Sequence, residues 1–266
     1  MAGCAFSTTV ALALLLSSTL AAPARAAAIE ETVARVKRSV VAVGTFERTR
    51  SPPFQFRGTG FVVGDGRQIV TNAHVLPATL DKDNRETIAI LLPAPPKAGT
   101  DEPQVQLRAA RQVATDAAHD LAVVAIEGAP LPALTVGESS RVREGNTLFF
   151  TGFPIGAVLG PHPATHRALV ASITPIAIPQ ANSARLDAKT IKRISAGPLS
   201  VLQLDATAYP GNSGSPLYDP ESGEVLGVIN MVLVKSTKES ALTQPSGISY
   251  AIPAEHLRAL LETSPR

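Results

Sequence analysis

Ile69-Val70-Thr71-Asn72-Ala73-His74-Val75 is a β-branched run that ends in a turn of small residues and presents one histidine. Short runs of this kind recur along the chain. They fall at Val40–Phe46, Gly60–Val63, Gln68–Thr71, Ile88–Leu92, Val105–Val113, Leu121–Ile126, Thr147–Thr151, Leu169–Ile173, Val201–Leu204, Val225–Val234 and Ile248–Ile252. Clusters of Gly, Pro, Asn and Asp separate them, as an all-β barrel or sandwich requires. Strands do not alternate with helices, which argues against a doubly wound sheet. Glu127–Gly145, with Pro130, Pro132, Gly137 and Gly145, divides the runs into two sets, about 40–130 and about 145–252. Ile29, Val33, Val36 and Val40 recur at helical spacing before the first set. A last helix, 253–263, starts at Pro253, where proline suits the first turn, and carries Leu257, Leu260 and Leu261 on one side. Glu47–Phe56, Pro93–Pro103 and Pro175–Pro198 read as solvated loops, the third long and basic enough to suggest a function.

The composition is that of a folded domain. Among 266 residues, 45% are apolar and 17% charged, and the net charge of +2 removes the case for a nucleic-acid-binding surface. Residues 1–26 read differently: Val10 to Ala22 is almost wholly Ala, Leu, Val, Ser and Thr, and Ala24-Arg25-Ala26 follows. Thirteen residues cannot span a hydrocarbon core about 30 Å thick at 1.5 Å each, and the small-x-small ending suits cleavage before Ala27. A signal peptide over 1–26 is therefore expected, with a periplasmic or secreted product and no stable membrane insertion after cleavage. Met1–Thr9 lacks the basic residue usual in such signals. The sole cysteine, Cys4, lies in that segment, so residues 27–266 form no disulfide and hold no thiolate metal site.

Three stretches carry the chemistry. His74 follows the first quoted strand. His119-Asp120-Leu121-Ala122-Val123-Val124 places Asp120 at the mouth of a buried run, where a carboxylate is costly unless it is hydrogen-bonded. Tyr209-Pro210-Gly211-Asn212-Ser213-Gly214-Ser215-Pro216 sets a serine between glycines. A serine hydroxyl is inert at neutral pH unless an imidazole takes its proton, and that imidazole needs a carboxylate to fix its tautomer. The order His, Asp, Ser differs from the subtilisin and α/β-hydrolase orders, and Ser215 breaks the Gly-x-Ser-x-Gly elbow.

With Gly58-Thr59-Gly60-Phe61-Val62-Val63, Leu204-Asp205-Ala206 and Gly247-Ile248-Ser249-Tyr250-Ala251-Ile252-Pro253 added, the chain resembles the trypsin-like serine proteases of the HtrA (DegP-like) type. The resemblance covers most of 27–266. It implies two perpendicular six-stranded β-barrels with short terminal helices and the site between them. It implies an exported serine endopeptidase acting through an acyl-enzyme on polypeptides, in protein quality control or processing, without metal or cofactor. A catalytically inactive binding or chaperone-like protein on the same fold is the alternative. Carried over by position, His74 is the general base, Asp120 its orienting partner and Ser213 the nucleophile. The loop Gly211, Asn212, Ser213 forms the oxyanion hole, with Gly211 and Ser213 as backbone donors. Asp116 competes as the acid, but Asp120 is the one adjoining Leu-Ala-Val.

Relatives of this type commonly continue into one or two PDZ domains, and a homo-oligomer is among the expected partners of this chain. Only Ala254–Arg266 follows Pro253 here, so a protease domain without PDZ is expected. The resemblance also puts Thr207 where trypsin carries its specificity aspartate, Ile229, Asn230 and Met231 along one wall of the specificity pocket and Ile248 to Ala251 near its base, a lining suited to small or medium aliphatic side chains. Pro163 opposes a helix that would pair His162 with His166 on a metal, so both read as loop residues, and His256 reads as a surface residue.

Overall fold

The computed structural model describes residues 21–94, 104–154, 162–176, 199–230 and 247–264, and its strands close into two antiparallel barrels of six. The first barrel holds β1 (Val40–Phe46), β2 (Phe54–Val63), β3 (Gln68–Asn72), β4 (Thr87–Ala94), β5 (Gln104–Asp116) and β6 (Leu121–Ile126), in the order β1-β2-β3-β6-β5-β4. The second holds β7 (Thr147–Gly152), β8 (Ala164–Ile176), β9 (Leu199–Asp205), β10 (Pro216–Tyr218), β11 (Val225–Asn230) and β12 (Ile248–Pro253), in the order β10-β11-β12-β9-β8-β7. Helices α1 (Ala21–Lys37) and α2 (Ala254–Thr263) flank the pair.

Strand alternation explains why the runs are apolar on both faces. In β1, Val41 and Val43 enter the first barrel's interior with Val62, Ile69, Ile90, Ala122 and Val124. Val40 and Ala42, one residue out of phase, face a separate layer with Phe61, Val70, Leu121, Val123, Phe153, Tyr218, Val228 and Ile252. That layer contains residues of both barrels and takes in Val36 of α1 and Leu257 and Leu260 of α2. A third cluster, with Leu148, Phe150, Val170, Leu202, Leu204, Leu217 and Ile229, fills the second barrel. Each strand between two cores is buried on both sides, so its sequence is continuous rather than alternating.

Several boundaries differ from the sequence reading. Val40 does not extend the first helix: α1 ends at Lys37, the Ser39 N–H closes on the Val36 carbonyl at 2.9 Å, and Val40 opens β1. The hairpin of β1 and β2 continues to the pair Phe46↔Phe54, so part of Glu47–Phe56 is strand. β10 has only three residues, too few to show a period, with proline at its first position where the missing N–H is tolerated. Residues 95–103, 177–198 and 231–234, which bear on two of the expected loops and the end of one run, lie outside the described residues, as do 1–20.

Candidate active site

β3 delivers His74 on a single 3-10 turn, Ala73–Val75, and the start of β6 delivers Asp120 opposite it through the register Asn72↔Leu121. Asp120 has φ +53°, a left-handed backbone that costs an L-residue about 1–2 kcal/mol and that Asp tolerates better than most. Its carbonyl is held in that pose by the Ala73 N–H at 3.0 Å and the Asn72 amide at 3.1 Å. The carboxylate then meets three donors. Oδ1 accepts the His74 N–H at 2.9 Å, and Oδ2 meets His74 Nδ1 at 2.5 Å and the Asn230 amide at 2.7 Å. Nδ1 facing a carboxylate carries the proton, which leaves Nε2 as the acceptor end of the ring.

Ser213 lies in a loop built from glycine geometry and barrel-to-barrel bonds. Gly211 has φ +101° and Gly214 φ +87°, and a Cβ at either would fall 2.3 Å from the Phe153 carbonyl or 2.1 Å from that of Thr59. Only glycine fits there. Thr59, on β2, fastens the loop: its N–H donates to the Ser213 carbonyl at 2.9 Å and its hydroxyl to the Gly211 carbonyl at 2.6 Å, while the Phe153 N–H donates to that hydroxyl at 3.1 Å. On the other side the Gly214 N–H donates to the Ile229 carbonyl and the Ile229 N–H to that of Ser215, each at 2.9 Å. The Asn212 N–H turns back to the Tyr209 carbonyl at 3.0 Å, so of the expected oxyanion loop it is Gly211 and Ser213 whose N–H groups have no acceptor among the described residues.

The remaining residues distribute unevenly. Asp116 does not reach His74; it pairs with His119, whose Nδ1 lies 2.5 Å from Oδ2. Burial works against that carboxylate, but the His119 contact and the backbone N–H groups of His119 and Ala118 outweigh it and lower its pKa. His256 is half-buried rather than a free surface residue, its ring stacked on that of His119 at 3.8 Å. His166 lies on β8, stacked on Phe150 at 4.8 Å, with Nε2 enclosed and its pKa lowered by burial, whereas His162 is exposed. Thr207 is half-buried. Strand alternation sends the Ile229 side chain into the second barrel's core and the Asn230 amide to Asp120. Met231 lies outside the described residues.

Sequence reasoning missed Thr59 as the tie between the barrels and Asn230 as a donor to Asp120. The signal for Thr59 was the run Gly58-Thr59-Gly60, a small polar residue between glycines whose close approach to another backbone sequence cannot show. Among the described residues no group of three or more His, Cys, Asp and Glu is arranged to hold a metal. A cavity of about 840 Å³ lined by Ile29, Arg141, Arg167 and Glu224 includes none of His74, Asp120, Asn230 and the 211–214 loop.

Comparison with known proteins shows the family and the fold. The model of the trypsin-like peptidase domain family matches residues 58–228. The bovine protein named "Serine protease HTRA2, mitochondrial" is 31% identical over 85% of this chain and 41% of its own length. A Hahella chejuensis protein named "Probable periplasmic serine endoprotease DegP-like" is 28% identical over 78% of this chain and 35% of its own. The chain thus spans about two fifths or less of these relatives. An AlgW variant, an HtrA-type protease solved with a tripeptide, superposes with a TM-score of 0.60 at 22% identity, covering 88% of this chain and 62% of that one.

Proposed function

Because this chain belongs to the trypsin-like peptidase family, we propose that it is a serine endopeptidase that cuts polypeptides through Ser213, His74 and Asp120. The observation that carries the reading is the Asp120 carboxylate, which holds both the ring and the backbone of His74 (2.5 and 2.9 Å) and is itself held by Asn230 (2.7 Å). A base fixed in one tautomer, together with a serine loop that has two unengaged N–H groups and is tied to the same barrel by Thr59, is the equipment of acyl transfer.

His74 Nε2 takes the Ser213 hydroxyl proton as Oγ bonds to the scissile carbonyl carbon. The carbonyl oxygen becomes an oxyanion facing the Gly211 and Ser213 N–H groups. The C–N bond then breaks, the departing amine takes the proton from His74, and an ester to Ser213 remains. Water, deprotonated by His74, attacks that ester, and the acid product leaves as the proton returns to Oγ. Asp120 stays a carboxylate throughout and stabilises the imidazolium.

The first 26 residues support export, and relatives named periplasmic suit that location; an endopeptidase there would serve in protein quality control or processing. Thr207, half-buried and standing where trypsin carries its specificity aspartate, introduces no charge, which favours aliphatic side chains before the cut. The test is hydrolysis of a denatured protein. The wild type should release peptides, Ser213→Ala should lose turnover on the order of a millionfold, as the comparable serine does in subtilisin, and both should melt alike. Equal hydrolysis by the two proteins would reject Ser213 as nucleophile.

A further inference from the structure

Resting on that hydrolytic reading, we propose that Arg57 selects acidic residues immediately after the scissile bond. Phe56-Arg57-Gly58-Thr59 walls one side of the Ser213 loop. A Cβ on Gly58 would lie 3.0 Å from the Ser213 carbonyl and 2.7 Å from the Val75 side chain, and one on Gly211 would lie 2.9 Å from the Phe56 ring. Phe56 in turn meets Phe153 edge-on at 6.4 Å. Alternation along β2 half-buries Phe54 and Phe56 and turns Gln55 and Arg57 out to solvent. Arg57 is therefore an exposed cation on a strand whose neighbouring residues touch the oxyanion loop.

Its position is anchored as well as exposed. Nε donates to the Val75 carbonyl at 2.7 Å, one residue beyond His74, and among the described residues the guanidinium forms no ion pair. The free edge of a guanidinium is a fork that fits a carboxylate.

The side of the cleft follows from the chemistry. His74 must hand its proton to the departing amine, so the amine half of the substrate lies toward His74, whose neighbour Val75 holds Arg57. β11, bonded to the Ser213 loop through Ile229, carries the residues expected to line the pocket for the acyl half. A carboxylate one or two residues after the cut would then come to Arg57, while a lysine there would be repelled.

The experiment compares kcat/KM for peptides that differ only in Asp, Asn or Lys at the first two positions after the cut. It uses wild type, Arg57→Gln and Arg57→Glu at about 0.05 M and about 1 M NaCl. The wild type should favour Asp over Asn by about two- to fivefold, the range of an exposed ion pair. The ratio should fall toward one at high salt, where screening acts over about 3 Å. It should reach one in Arg57→Gln and pass to Lys in Arg57→Glu. Reading a ratio within each protein removes any general loss of activity, and the wild-type salt series decides the matter even if a variant folds poorly. Cleavage with no charge preference, or with the same preference in Arg57→Glu, overturns the role of Arg57 and leaves the hydrolytic reading standing. Failure to cleave any peptide, together with failure of a fluorophosphonate to label Ser213, overturns both.

Discussion

Asn230 and Thr59 act on the proposed chemistry without touching it. The Asn230 amide is a neutral donor to a carboxylate, and a hydrogen bond to a charged group contributes about 1.5–3 kcal/mol. Asn230→Leu should therefore lower kcat/KM by about 10- to 100-fold, and Asn230→Asp, which sets a second carboxylate against Asp120, should lower it further. Steady-state kinetics with circular dichroism as the folding control checks this. Thr59→Val keeps the shape of the side chain but removes the bonds to the Gly211 carbonyl and from the Phe153 N–H. It should reduce kcat by about tenfold with KM little changed, since the loop carrying the oxyanion donors loses its tie. His74, Asp120 and Ser213 could be singled out in the sequence because each stands in a short segment that makes chemical sense by itself. The roles of Asn230 and Thr59 depend on which way a strand faces and on what lies across the gap between two barrels, and neither is written locally.

Elements show the same division. β1 and β6 agree with the sequence to the residue, because long β-branched runs bounded by turns leave one reading. β10 and the early start of β2 exist because a partner strand is present, at Phe149–Phe150 and at β1 respectively. The contact of α2 with the turn before β6 is likewise invisible in sequence. There His256 stacks on His119 beside Asp116 and Glu255. Burial, aided by the His119 ring and opposed by Glu255 and Asp116, lowers the His256 pKa below its ordinary 6.5, and burial does the same to His166. The unfolded chain takes up these protons near pH 6.5 and the folded one only at lower pH, so stability falls as pH drops below about 6.5. Tm should decline from pH 7.5 to 5.5 in the wild type and decline less in a His166→Phe, His256→Phe double variant. Glu86 opens a second window. The Thr45 hydroxyl, the Asp81 N–H and Arg50 hold its pKa at about 2, down from 4.5, so its contribution is present above pH 4.5 and is lost as pH falls toward 2. Glu86→Gln should flatten only that lower step.

Over the whole molecule, the layer between the barrels joins the base to the nucleophile. His74 and Asp120 belong to the first barrel and Ser213 to the second, and Phe61, Val70, Leu121, Tyr218 and Val228 are fully buried in the cluster both barrels share. Phe61→Ala should cost about 3–5 kcal/mol, and both barrels should still unfold in one urea transition because they share that layer. Two separate transitions would show that the barrels are independent. The central claim, that the paired His74 and Asp120 activate Ser213, is tested most directly by a fluorophosphonate probe followed by peptide mass mapping. A single adduct on Ser213 is predicted, formed quickly by the wild type, slowed by orders of magnitude in His74→Ala, slowed less in Asp120→Ala and absent in Ser213→Ala. No adduct on native protein, or one whose rate is indifferent to His74, would contradict it.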